Sequence, residues 1–180
     1  METRNDSNYE GSMMTGMFRD RDSAERAYNS LHTRGYTHDD VNLLMSDETR
    51  KTHFAGDNRA DTELGSKAME GAGAGSAIGG TLGAIAGAVA AIGTSLLIPG
   101  LGIVIAGPLA AGLAGAGAGG LTGGLIGALV GSGIPEERAK VYEEGVKNGH
   151  IVMGVRPRSK EDADYFENEW RTANGQEIYR

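Results

Sequence analysis

Cysteine is absent from the 180-residue chain, which removes disulfides, thiolate nucleophiles and cysteine-based zinc sites. Charge is absent from a more telling place. Glu70 and Glu136 are consecutive charged residues, and the 65 positions between them carry none. Tryptophan and tyrosine are missing between Tyr36 and Tyr142, so the uncharged stretch has no aromatic belt of the kind that marks membrane interfaces. Clusters of basic residues are missing as well: the formal net charge is -7, and lysine and arginine are interleaved with acids. That pattern excludes the phosphate-binding surface of a nucleic-acid partner. Residues 1–12 are polar and lack an apolar h-region, so cytoplasmic synthesis without a signal peptide is expected.

What is abundant is glycine, and it is concentrated. Of 30 glycines, 21 lie between Gly71 and Gly133. The chain is therefore bipartite, with two charged flanks around an uncharged insertion. In the first flank, after a flexible lead over 1–12, the apolar run 13–18 predicts a strand. Asp22 and Glu25 open a capping-box-like helix carrying Ala24, Ala27, Tyr28 and Leu31 at helical spacing, which Gly35 ends. The run 41–45 predicts a second strand. Residues 47–70 read as a linker.

In the other flank Pro135, followed by Glu136 and Glu137, opens a return helix within 134–149, because proline suits the first helical position and acids suit the positive end of the dipole. Its apolar face is Ala139, Tyr142 and Val146. A strand over 150–155 follows, then a helix opened by Ser159 and Asp162 with Ala163, Phe166 and Trp170 as its buried stripe, then a short strand over 176–179. The order β-α-β, insertion, β-α-β is that of an α+β ferredoxin-like sandwich, split into halves at 13–46 and 150–180. Neither half has enough apolar surface to stand alone. They are expected to interdigitate, so the insertion must leave and return on one side.

The insertion, residues 71–133, predicts a glycine-zipper helical hairpin. Small residues recur every fourth position at Gly71, Gly75, Gly79, Gly83, Gly87, Ala91 and Ser95, and again at Gly107, Ala111, Gly115, Gly119, Gly123, Gly127 and Gly131. Four-residue spacing keeps such positions near one helical face, where missing side chains let backbones approach. Pro99 and Gly100 supply the turn. The larger residues Ile78, Leu82, Ile85, Val89, Ile92, Leu113, Leu121, Leu125 and Leu129 fall on the opposite faces and are expected to meet lipid or another copy of the chain. Each arm is long enough to cross the hydrocarbon core, since about 22 helical residues span about 33 Å. Burial between copies is the alternative, because glycine and alanine are weakly favoured in lipid.

Motifs for chemistry are sparse. Gly115, Gly117 and Gly120 satisfy a bare G-x-G-x-x-G, but no strand precedes them and no acid follows at ribose-binding distance. His32, His38, His53 and His150 have no metal-ligand spacing. His38-Asp39-Asp40 reads as turn chemistry before a strand. Met13, Met14 and Met17 read as packing. The expectation is a protein without catalytic, cofactor or metal residues and without a small-molecule substrate.

The strand-helix-strand opening GMFRDRDSAERAYNSLHTRGYTHDDVNLLM and the segment IPGLGIVIAGPLAAGLAGAGAGGLTGGLIGALVGSGIPEERAKVYEEGVKNGHIVMGV together resemble bacterial general stress proteins of the heat-induced YflT type. The resemblance runs from Thr15 to Tyr179. It implies a role in the stress response and supplies no catalytic residues. The expected function is a non-enzymatic stress-response protein that self-assembles through its hairpins, at the inner membrane or as a cytoplasmic assembly. Two rivals are a ligand-sensing domain coupled to the hairpin and a pore lined by Thr81, Thr94, Ser95 and Thr122.

Overall fold

A computed structural model describes residues 12–54, 95–98, 100–115 and 124–180. Its strands are β1 (Met14–Phe18), β2 (Val41–Ser46), β3 (Ser95–Ile98), β4 (Ile103–Ala106), β5 (Ile151–Val155) and β6 (Gln176–Tyr179). The helices are α1 (Arg21–Thr33), α2 (Asp47–His53), α3 (Pro108–Gly115), α4 (Gly124–Gly131), α5 (Glu136–Lys147) and α6 (Lys160–Thr172). The strands form one antiparallel sheet in the order β3-β4-β2-β5-β1-β6.

The apolar runs of β1, β2 and β5 are continuous because both faces of the sheet are covered. Alternation sorts their side chains. Met14, Phe18, Val41, Leu43, Met45, Ile151, Met153 and Val155 enter one core with Tyr28, Leu31, Phe166 and Trp170 from α1 and α6. Met17, Leu44 and Val152 enter a second core with Leu109, Leu125, Leu129, Tyr142 and Val146 from α3, α4 and α5. The molecule is thus α+β, with helices on both sides of the sheet. β5 lies between β1 and β2, so strands of the N-terminal flank are held together by a strand of the C-terminal one.

Local signals explain the helix starts. Asp20, not Asp22, caps α1: its carboxylate accepts the Ser23 N–H at 2.8 Å. Ser159 caps α6, accepting the Asp162 N–H at 3.0 Å. Within the segment read as a linker, residues 47–53 form α2, because Ser46 Oγ accepts the Thr49 N–H at 3.0 Å and the acids Asp47 and Glu48 follow in the first turn.

The insertion departs most from expectation. Ser95, placed on a helical seam, lies in β3 and pairs with Ala106 of β4. Gly100 does occupy a turn, with φ +84°, but the turn joins two strands. Clustered leucine, isoleucine and valine over 96–98 and 103–105 favour a pleated surface, and the open edge of β2 offers one. Gly107, also assigned to the seam, sits at φ +104° at the end of β4, where an added Cβ would collide with the Val41 carbonyl. It is needed for a sharp exit over the sheet, not for helix pairing.

Leu125 and Leu129, assigned to lipid or to another copy, are fully buried against this chain's own sheet and α5. Gly127 and Gly131 share a face, but that face is exposed and a Cβ at either would meet nothing within 4 Å. Ala111 is exposed too. The face assignment for this helix is therefore inverted: bulk turns inward to the sheet and glycine outward. Leu113 and Gly115 lie in α3. Gly71, Gly75, Gly79, Gly83, Gly87, Ala91, Gly119, Gly123, Pro99, Ile78, Leu82, Ile85, Val89, Ile92 and Leu121 lie outside the described residues. Among the described residues no helix is long and apolar enough to cross a membrane.

Candidate functional site

The glycine faces of α3 and α4 border a cavity of about 600 Å³ over the end of the sheet. Its floor begins with Asn42, which stands opposite Gly154 in the β2–β5 register. Gly154 has no side chain, and the Met13 sulfur lies 3.2 Å from where its Cβ would be, filling part of that space. Asn42 is only 3% exposed. Its Oδ1 accepts the Leu109 N–H at 2.7 Å, satisfying one of the first N–H groups of α3 and fixing that helix to the strand. Its Nδ2 has a poor acceptor in the Met13 sulfur at 4.0 Å.

The walls are small. Pro108, Leu109 and Gly112 come from α3, and Gly127, Ala128 and Gly131 from α4, with Ser132 just beyond. Helical glycine costs about 1 kcal/mol relative to alanine. At Gly112, Gly127 and Gly131 no neighbour among the described residues occupies the space a side chain would take. The open groove, rather than close packing, is what those three glycines leave behind.

The rim carries charge of both signs. Asp39 and Asp40 arrive on the 3-10 turn His38–Asp40, and Arg156 follows β5. Asp40 Oδ2 accepts the Thr37 N–H at 2.8 Å and the Arg158 Nη2–H at 2.9 Å. Partial burial pushes its carboxyl upward, but the Thr37 amide, the Arg158 guanidinium and the Thr37 hydroxyl outweigh that and hold it below the usual range. Arg158 also stacks 4.2 Å from the centroid of the Tyr36 ring, so this pair is committed. Asp39 is 81% exposed, with His38 Nε2 at 3.4 Å. The Arg156 guanidinium makes no hydrogen bond or ion pair among the described residues.

A second, polar depression of about 460 Å³ lies between α2 and the end of α5, lined by Ser46, Glu48, Thr49, His53 and Lys147 among others. Thr49 Oγ1 donates to the Gly149 carbonyl at 3.2 Å across it, which ties α2 to the turn after α5. No cluster among the described residues could hold a metal ion.

Comparisons with known protein families, curated proteins and solved structures find no match for this chain. The site must therefore be read from its own chemistry. Of the seam residues expected from spacing, Gly127 and Gly131 come together on the groove, while Gly107 and Ser95 serve the sheet. Asn42, Gly112, Gly154 and Arg156 were not anticipated. A signal existed for Asn42, a lone amide inside the apolar run VNLLM, since a polar side chain in a strand buried on both faces needs a partner.

Proposed function

We propose that this chain is a non-enzymatic bacterial stress-response protein that self-assembles through its uncharged insertion. The carrying observation is the contrast between the two edges of the sheet. At the β6 edge the pairing with β1 is irregular between Thr15 and Met17, Glu177 has φ +51°, and Arg138 pairs with Glu177. Such irregularity and charge discourage edge-to-edge pairing. At the other edge, β3, its turn and β4 carry no charge in twelve residues, the β3–β4 register is regular, and Leu97 and Leu101 are 52% and 37% exposed. An uncharged edge with exposed leucines favours burial against another copy.

The order β2-β5-β1-β6 supports reading the two flanks as a ferredoxin-like split βαβ sandwich, with the β3–β4 hairpin extending it. The resemblance to YflT-type stress proteins supports a use under stress. Assignment of β3 and β4 to the sheet supports protein burial over lipid for this part of the insertion, because it removes 95–98 and 103–106 from any helical arm.

The test is purification without detergent followed by analytical ultracentrifugation. A concentration-dependent oligomer is expected, with Leu97→Lys shifting it toward monomer while the circular dichroism spectrum is retained. Recovery only from membranes would replace protein burial with lipid burial. A wild-type monomer at high micromolar concentration would remove the self-assembly reading altogether.

A further inference from the structure

We propose that the groove between α3 and α4 binds a single-chain anionic amphiphile, of which a long-chain fatty carboxylate is the simplest example. The head would sit at Arg156 and the tail would lie along the glycine walls. This goes beyond self-assembly and does not depend on it.

Volume sets the size. With about 600 Å³ of accessible space and about 30 Å³ for each water-sized unit, the groove holds at least about 20 non-hydrogen atoms. That is room enough for one acyl chain with its carboxylate. Shape follows from the small side chains: Gly112, Gly127 and Gly131 leave the walls open, and Met13, Leu109 and Ala128 make them apolar. This is the usual make-up of a small-molecule site, an apolar lining with few polar groups.

The polar groups select the sign of the head. Asp40 is satisfied by Thr37 and Arg158, and Asp39 points largely to solvent beside His38. Arg156 is the rim cation without a partner among the described residues, and a planar guanidinium matches a carboxylate in two-pronged geometry. A second donor lies in the floor. Asn42 is almost wholly buried, yet its Nδ2 faces only a thioether sulfur at 4.0 Å, and a buried donor so poorly matched gains from a ligand oxygen.

The experiment is equilibrium dialysis of the full chain with hexadecanoate below its critical micelle concentration, with hexadecyltrimethylammonium as a probe of opposite charge. Expected are saturable uptake of one hexadecanoate per chain and much weaker uptake of the cation. Arg156→Gln should weaken hexadecanoate binding by about tenfold or more, as for loss of a charge-assisted hydrogen bond. Gly131→Leu should abolish uptake by filling the groove, with Gly127→Leu as a second filling variant and circular dichroism to verify folding of both.

Absence of saturable uptake, equal uptake of the two probes, or full binding by folded Gly131→Leu and Gly127→Leu would each overturn the proposal. Unchanged affinity in Arg156→Gln would do the same. Co-sedimentation with phosphatidylglycerol vesicles separates the two sources of anionic lipid: binding to vesicles without uptake of the free acid would also overturn it. Sedimentation analysis of the same variants reports self-assembly separately, so failure of one reading leaves the other standing.

Discussion

Both faces of the sheet are buried, one under α1 and α6 and the other under α3, α4 and α5, and their exteriors differ. On the α1/α6 face an aromatic core, with Trp170 edge-on to Phe18 at 5.7 Å and Tyr36 edge-on to Phe166 at 4.9 Å, lies beneath helices laced with charge. Arg34 pairs with Glu161 at 3.1 Å and Lys160 with Asp164 at 2.7 Å. On the α3/α4/α5 face leucine and isoleucine dominate the core around Tyr142, while the outer surface of α3 and α4 has no charge and exposes glycine and Val130. Burial alone does not tell a structural face from a functional one. What separates them is the outer layer: ion pairs finish the surface of α1 and α6, and that of α5 as well, whereas the surface of α3 and α4 is left apolar and grooved.

That difference can be broken experimentally, beginning with the largest effect. Trp170→Ala should cost about 3–5 kcal/mol, measured by urea denaturation, because Trp170 is fully buried at the centre of the aromatic core. Leu129→Ala should cost about 2–4 kcal/mol in the same measurement if α4 belongs to this chain's core, as its burial indicates. A leucine meant for lipid or a neighbouring copy would leave the stability of the isolated chain unchanged, so a null result would make the two faces unlike inside as well as outside.

Tyr142 ties α5 across the sheet, and Tyr142→Phe should cost about 1–2 kcal/mol. Its hydroxyl is 2.8 Å from Thr15 Oγ1 and donates to the Glu177 carbonyl at 2.6 Å. Burial pushes the phenol up to about 12 from 10.0. Since the folded state resists losing this proton, the contribution is complete below pH 10 and is lost as pH rises through about 12. Tyr28 and Tyr36 are raised to about 12 as well, again chiefly by burial. Alkaline titration should therefore unfold the protein in that window, and Tyr142→Phe should make the loss shallower. The smallest effect has the opposite sign. Gly127→Ala should stabilise the fold by about 0.5–1 kcal/mol, because its Cβ meets open space. A loss of similar size would restore the close-packed seam.

The flanks were legible because each signal there is local and mutually consistent. Short continuous apolar runs, Ser159 as a cap, Pro135 before two acids, and the stripe Ala163, Phe166 and Trp170 all depend on neighbours within a few residues. The insertion was misread where two local signals compete. Small residues every four positions run through Ser95 and Gly107, but the intervening leucine, isoleucine and valine also fit a strand, and only an available sheet edge decides between them. Orientation failed for a related reason. Periodicity shows that Leu125 and Leu129 oppose Gly127 and Gly131 on α4, yet it cannot say which side meets the sheet.

The groove lay further from reach. It needs Asn42, Gly112, Gly127 and Arg156, which come from β2, α3, α4 and the segment after β5, and their meeting depends on β5 lying beside β2 with Asn42 opposite Gly154. By itself the sequence determined a split α+β protein with charged flanks around an uncharged, glycine-rich insertion, because composition and short-range periodicity act within single elements. Tertiary structure alone decided that β3 and β4 extend the sheet, that the leucines of α4 turn inward, and that Arg156, without a partner among the described residues, overlooks a glycine-walled cavity. Those outcomes depend on which open edge and which apolar face are within reach once the chain has folded, and separation along the chain does not encode that.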